Sequence, residues 1–351
     1  MLRPPDLDRS AVRRQFDRRV DRLPQADFLL REVERRMFER LDLVRLQPAR
    51  VLDVGCGLGD GVRRLRARYP AAQAIGLDLS AAIARRAAAI DRPAPGGLAG
   101  QLVRRLAGVF GPAAPGSQGS RGSPEAPGAV PARIAGAGGP LASYLAGDAH
   151  ALPLAASGVD LIWSNLVLHW FDEPFAAMAE WYRTIRPGGL LMFSALGVDT
   201  LCELRRAGLA TMPFPDMHDL GDALAAAGFA EPVMDAERLT ITWGQWRTLE
   251  LELRALGGDA RRARSRGLST PRHHAAARQR IEPPLRRAGP SPSQHGPSTS
   301  QHASSPNPDA PLSVTFEVIY GHAWCGARKK LPDGYAPVEF RRTPPHGDAA
   351  A

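Results

Sequence analysis

Apolar residues recur at helical spacing through residues 10–46, where Phe28, Leu29, Val33, Met37, Leu41 and Val44 are separated by arginines and glutamates. At Arg50 the period changes. Val51–Val54 is a short apolar run closed by glycines, the pattern of a buried strand and a tight turn, and Gly61–Tyr69 resumes helical spacing. A second short strand, Ala74–Asp78, leads to an alanine-rich helix opening near Ser80, whose hydroxyl suits an N-cap. Residues 144–148, 159–164 and 190–195 read as further strands, and Phe175–Arg186 as a helix ending before Pro187, Gly188 and Gly189. Asp219–Ala227 predicts a helix closed by Gly228, while Leu239–Trp243 and Ser313–Tyr320 are strand-like. Alternating strands and helices predict parallel β-α-β units, and so a doubly wound α/β core behind an N-terminal helical cap.

Two tracts interrupt this rhythm. Residues 92–140 are dominated by Pro, Gly, Ser and Ala apart from a helix-like island at Leu98–Phe110, and 283–311 are rich in Pro, Ser and His. Neither composition supplies enough apolar surface to offset the entropy of ordering. The expected organisation is a cap over 1–48 and a ligand-binding core with a substrate cap over 49–282, carrying a flexible insertion at 92–140. A disordered linker at 283–311 and a last strand with its tail at 312–343 complete it. No internal repeat is present.

The formal charge of +9 raises the question of nucleic acid. Lysine occurs only at Lys329 and Lys330, so 43 of the 45 basic residues are arginine. Clusters such as Arg261, Arg262, Arg264 and Arg266 lack interleaved aromatics for base stacking. The charge therefore points to an anionic substrate or an acidic protein partner, and not to nucleic acid. No run approaches the ~20 apolar residues of a membrane span. The N-terminus has no apolar signal region, and Asp6, Asp8, Asp17 and Asp21 argue against a transit peptide, so a cytoplasmic protein is expected. Cys56, Cys202 and Cys325 are widely spaced, form no C-x-x-C pair, and read as structural, with no metal site expected.

The chemistry concentrates after the first strand, in Asp53-Val-Gly55-Cys-Gly57-Leu-Gly59. Glycines there let the backbone approach a ligand too closely for any Cβ, and the following helix presents free N–H groups. Their alternate spacing differs from the G-x-G-x-x-G dinucleotide fingerprint. Asp78, 25 residues beyond Asp53 at the end of the second strand, can accept from both hydroxyls of a ribose; its competing role is to cap the next helix. Asp148 ends the third strand, where an adenine amino group can donate to it. Asp160 and Asn165 flank the fourth strand. Ligands of such sheets lie beyond the carboxyl ends of the strands, which makes Asn165, His169 and Trp170 candidates for the pocket. No acid–base pair stands out as catalytic.

Taken in order, these motifs resemble the class I methyltransferase superfamily. The resemblance implies a Rossmann-like seven-stranded sheet with a final antiparallel strand, binding S-adenosylmethionine through Asp53, Gly55, Gly57, Gly59, Asp78, Asp148 and Asn165. Further segments resemble the biotin-pathway malonyl-acyl-carrier-protein O-methyltransferases: Phe16–Arg18, Asp27–Val33, Trp163–Trp170, Gly189–Ser194, Asp199–Arg205, Met217–Asp222, Pro232–Asp235 and Thr315–Trp324. That family implies methylation of the free carboxylate of a malonyl thioester, carried on acyl carrier protein or coenzyme A, with an arginine holding the anion. A carboxylate with a pKa near roughly 4 is ionised at neutral pH and needs no base. Three features depart from the family pattern: a long insertion at 92–140, a short Arg205–Pro215 segment, and the tract at 283–311. Other readings stay open. They are a quinone or small-acid methyltransferase, an arginine-modifying relative of the complex I assembly factors (Phe16–Arg18, Leu168–Trp170, Asp199–Leu201), a non-catalytic binding module and an NAD oxidoreductase.

Overall fold

The computed structural model describes residues 7–25, 27–92, 142–171, 173–209, 211–257, 271–286 and 310–326. Nearly all of the 92–140 insertion, most of the 283–311 linker and the tail after 326 fall outside them. No described helix is long and apolar enough to cross a membrane.

Seven strands form one sheet in the order β3-β2-β1-β4-β5-β7-β6. They are β1 (Arg50–Val54), β2 (Gln73–Asp78), β3 (Ser143–Ala146), β4 (Val159–Ser164), β5 (Ile185–Leu196), β6 (Phe229–Trp243) and β7 (Leu312–Cys325). The first five pair in parallel, and β7 runs antiparallel to both β5 and β6. The expected final antiparallel strand is present. Alternate strand residues feed two apolar layers. Val51, Leu161, Trp163 and Met192 point toward the N-terminal helices. Leu52, Ile162, Leu191 and Phe193 meet Trp181 of α5 (Pro174–Thr184) and Leu224 of α7 (Met217–Ala227). At the amino edge, Asp160 accepts from the amides of Ala49 (2.8 Å) and Arg50 (2.6 Å), tying β4 to the start of β1. Strand order reverses between β1 and β4, which opens a crevice at the opposite, carboxyl edge.

The cap differs from a continuous helix over 10–46. It consists of α1 (Arg9–Asp17), a 3-10 turn at Leu23–Gln25 and α2 (Phe28–Leu41). Pro24 sits in the break, where its missing N–H and ring disfavour an α-helical ladder. Leu29, Val33, Met37 and Leu41 seat α2 in the main core, with Phe38 stacked 4.5 Å from Trp163. Arg36 and Arg40 reach across to Glu237 and Asp235 of β6.

Three sequence boundaries move. The helix expected through Arg186 ends at Thr184, because Pro187 to Gly189 form a bulged start to β5 with Gly188 at φ +76°. Strand β6 has 15 residues where only Leu239–Trp243 alternated clearly; its first part is largely exposed although mostly apolar, and pairing with β7 defines it instead of burial. A helix, α9 (Pro271–Leu285), continues past residue 283 by burying Ile281 and Leu285 against the core. The remaining elements are α3 (Asp60–Arg68), α4 (Ala81–Asp91), α6 (Cys202–Arg206) and α8 (Trp246–Leu256). Ser80 does cap α4, accepting from Ile83 N at 3.2 Å.

Candidate active site

The crevice deepens into a cavity of about 530 Å³, within the range of small-molecule sites. Asp53, Gly55, Gly57, Asp78, Asp148, Asn165, His169 and Trp170 all line it, joined by residues from the cap and from α8. Gly59 does not. A Cβ at Gly59 would meet the Tyr144 hydroxyl at 2.5 Å, so this glycine serves packing against β3.

The other two glycines divide the work. Gly55 has φ +74°, and a Cβ there would lie 2.3 Å from a Val167 methyl. It locks the loop to the segment after β4. Gly57 has φ +52° and nothing within 4 Å of a built Cβ, so it presents bare backbone to open space in the cavity. This is the cradle that a flat or polar ligand can approach. Loop position is fixed from below: the amides of Gly55 (2.7 Å) and Cys56 (3.0 Å) both donate to Leu77 O at the end of β2.

Asp78 is buried beside this loop. Its two carboxyl oxygens accept from Ser80 N (2.8 Å) and Gly57 N (3.2 Å). Ser80, and not Asp78, is the helix cap, and each Asp78 oxygen keeps a lone pair for a diol. Burial pushes its pKa up to about 6 against those two amide bonds. Asp148 is more heavily engaged. It accepts from Arg9 Nη1 (3.0 Å) and from His150 N and Nδ1 (both 2.9 Å). Burial works to raise its pKa, but the His150 bonds and the Arg9 charge outweigh it and hold the carboxyl below its usual range.

Asn165 reaches the cavity wall with its amide already used. Its Nδ2 donates to Leu30 O of α2 (2.9 Å), and its Oδ1 accepts from Ser194 Oγ (2.8 Å). It thus joins β4, β5 and the cap. His169 and Trp170 lie in a 3-10 turn at Leu168–Trp170, directly after the Val167 that packs on Gly55. Trp170 lies edge-on to Phe16 (5.1 Å) and 4.9 Å from the His169 ring. Burial lowers the His169 pKa to about 3, so the ring is neutral.

The sequence reading missed Glu34. This residue of α2 is buried, and a Cβ on Gly61 would meet Glu34 Oε1 at 2.9 Å and Asp53 Oδ2 at 2.6 Å. Two carboxyl groups therefore converge at the base of the glycine loop. Arg64 bonds to the other Glu34 oxygen (3.0 Å). Desolvation raises both pKa values, and repulsion between the two carboxyls adds to the Asp53 shift. The available signal was positional: Leu30, Glu34 and Phe38 are four apart, so an acid interrupts an apolar helical stripe. The short Arg205–Pro215 segment still closes the cavity, with Met212 and Phe214 buried in its wall.

Comparison with known proteins agrees with this geometry. Residues 126–193 match the family model described as a methyltransferase domain. The malonyl-[acyl-carrier protein] O-methyltransferase of Laribacter hongkongensis (strain HLHK9) is 39% identical over 352 residues, covering 97% of this chain and 98% of that protein. The protein of the same name from Methylovorus sp. (strain MP688) is 37% identical, with 95% of each covered. Among solved structures, a candidate methyltransferase from Bacillus halodurans C-125 is 14% identical with a TM-score of 0.50, covering 83% of this chain and 99% of its own, which shows a shared fold.

Proposed function

The chain belongs to the malonyl-[acyl-carrier protein] O-methyltransferase family, and from that membership we propose that it esterifies the free carboxylate of a malonyl thioester, as a step of biotin synthesis. It is an S-adenosylmethionine-dependent methyltransferase. The observation that carries the substrate reading is full-length similarity to these relatives, including the segments after Ser194 that build the wall facing the glycine loop.

The residues present fit the methyl donor. Gly57 leaves room for it, Asp78 has lone pairs for the ribose hydroxyls, and Asp148 stands where the adenine would lie. Glu34 and Asp53 place two buried carboxyl groups together, with raised pKa values, that a methionyl ammonium would draw toward their charged form. When bound, S-adenosylmethionine supplies an electrophilic methyl group: an O–C bond to the substrate forms as the C–S bond breaks, and sulfur keeps the pair. No proton moves. The protein's task is to align the two reactants and keep water out. Trp170, Met212 and Phe214 give the dry wall, and removal of water strengthens attraction between the substrate carboxylate and a cationic donor. Among the described residues Arg9, Arg31 and Arg254 line the cavity, paired with Asp148, Asp27 and Glu250, and a substrate carboxylate would compete with those acids for their charge. An arginine-rich exterior suits an acidic carrier protein.

Incubation of purified protein with S-adenosylmethionine and malonyl-acyl carrier protein, or malonyl-coenzyme A, tests this reading by mass spectrometry. A methyl ester 14 mass units heavier (roughly, one CH₂), with stoichiometric S-adenosylhomocysteine, is expected from at least one carrier. Binding of S-adenosylhomocysteine without ester formation on either carrier would remove the substrate assignment and leave the cofactor site standing.

A further inference from the structure

His169 is a buried polar group with no hydrogen-bond partner among the described residues. The side chain is 7% exposed and lines the cavity, yet Nδ1 makes no hydrogen bond among the described residues. Buried ring nitrogens are nearly always satisfied; here Nδ1 is sealed off by its surroundings, and Nε2, also without a hydrogen bond among the described residues, is the nitrogen left accessible to a ligand atom in the cavity. Its surroundings favour a particular kind of ligand atom. Trp170 lies 4.9 Å away and Phe214 6.0 Å away, ring centre to ring centre. These walls offer no countercharge, and burial keeps the imidazole neutral.

Placement supports a role toward the substrate. His169 belongs to the turn following β4 and stands beside Phe214 of the segment after α6, with its neighbour Trp170 against Phe16 of the cap. The cofactor-side carboxylates Asp53 and Asp78 belong to β1 and β2. We propose that His169 donates one hydrogen bond from its neutral ring to a carboxylate oxygen of the malonyl group, turning the other oxygen toward the methyl group. The inference rests on the substrate reading above.

Neutrality matters to this role. An imidazolium would hold the carboxylate as an ion pair, stabilising the ground state most, because the oxygen loses charge as the new bond forms. A neutral donor orients the nucleophile with less of that penalty. The ring accepts no proton during the reaction, since the ester product leaves none to take.

Three variants separate orientation from proton transfer and from shape: His169→Gln and His169→Asn keep a neutral N–H donor, and His169→Phe keeps only a ring. Each is measured for turnover of malonyl thioester, for calorimetric binding of malonyl-coenzyme A to the S-adenosylhomocysteine complex, and for S-adenosylhomocysteine binding alone. His169→Phe is expected to lower kcat/KM about 10- to 100-fold, the range for one hydrogen bond to a charged group, and to weaken malonyl-coenzyme A binding. S-adenosylhomocysteine affinity should stay within about threefold, because the donor contacts no cofactor atom. At least one amide variant should recover most of the loss. A phenylalanine variant with parental kcat/KM overturns the proposal, and so do amide variants as impaired as phenylalanine while still binding S-adenosylhomocysteine. Should His169→Phe fail to fold, the amide variants alone decide. No turnover by the parent protein on either carrier would overturn the substrate reading and this inference together, whereas parental turnover without the variant pattern removes only the inference.

Discussion

On the cofactor side of the cavity, the polar groups come from strand ends close together in sequence: Asp53 lies in β1 with Gly57 just after it, and Asp78 closes β2. The aromatic part of the lining draws Phe16 from the cap, Trp170 from the turn after β4, Phe214 from the segment after α6, and Trp246 from the start of α8. The first side is acidic and hydrogen-bonded through backbone. The second is aromatic, held by ring contacts such as Phe16 on Trp170 and His169 against Phe214. A methyltransferase needs this division. The donor is a fixed, polar nucleoside that one short stretch of chain can grip. The acceptor differs between families, so its wall is assembled from elements that can vary independently around a constant sheet.

The junction between the two sides should be the most sensitive point. Gly55→Ala would force a Cβ into Val167 at a positive φ, which joins steric overlap to backbone strain. A loss of about 2–4 kcal/mol of unfolding free energy is expected. Gly57→Ala faces open space, so its folding cost should be about 1 kcal/mol, while its methyl group enters the volume assigned to the donor. Urea unfolding and S-adenosylhomocysteine calorimetry on the two variants should therefore diverge, one failing mainly in stability and the other mainly in binding. Equal stability losses would erase the distinction between a packing glycine and a ligand glycine.

Asp78 comes next in size. Its folded pKa of about 6 lies above the ordinary 3.8. Between roughly pH 4 and 6 the native state keeps a proton that the unfolded chain has released, so ligand-free stability falls as pH rises through that window. The fall attributable to Asp78 approaches about 3 kcal/mol at most, at 1.36 kcal/mol per pKa unit. Ribose hydroxyls prefer the charged carboxylate, so S-adenosylhomocysteine should bind more weakly at pH 5 than at pH 7.5. Asp78→Ala should weaken binding at pH 7.5 by about 1–3 kcal/mol and flatten its dependence near pH 6. An unchanged affinity in the variant would take Asp78 out of the site.

What could be read in advance follows the same division. Asp53, Gly57 and Asp78 were legible because a strand end, a glycine turn and an acid lie within one β-α-β unit, where spacing fixes geometry. The last strand was legible from alternation at Ser313–Tyr320, and its antiparallel direction from the resemblance to class I methyltransferases. Glu34 was not, because a glutamate on a charged helix reads as solvated until the face it occupies is known. Gly59 was assigned to the ligand with its neighbours, yet only tertiary packing distinguishes a glycine beneath Tyr144 from one facing a cavity. Asn165 lines the cavity, but its partners Leu30 and Ser194 come from α2 and β5, which the local sequence does not reveal. The first half of β6 buries only Phe229 and leaves residues such as Val233 exposed, so no alternation of burial marked it in the sequence.

The smallest effect belongs to Asp148, and it tests whether position at a strand end is enough to make an acid important. Its carboxylate already receives Arg9 and two nitrogens of His150, and it remains about a third exposed. A ligand amino group would find one more lone pair there, in a partly solvated place where water competes for the same bond. Asp148→Ala should therefore weaken S-adenosylhomocysteine by only about 0.5–1 kcal/mol, well below the Asp78 variant, with part of the change arising from release of Arg9 and the start of α1. Arg9→Ala separates the two contributions: it leaves the carboxylate in place while breaking the tether. If calorimetry finds Asp148→Ala as damaging as Asp78→Ala, and Arg9→Ala harmless, the adenine contact outweighs the local network. The cofactor side would then grip both ends of the nucleoside with equal strength.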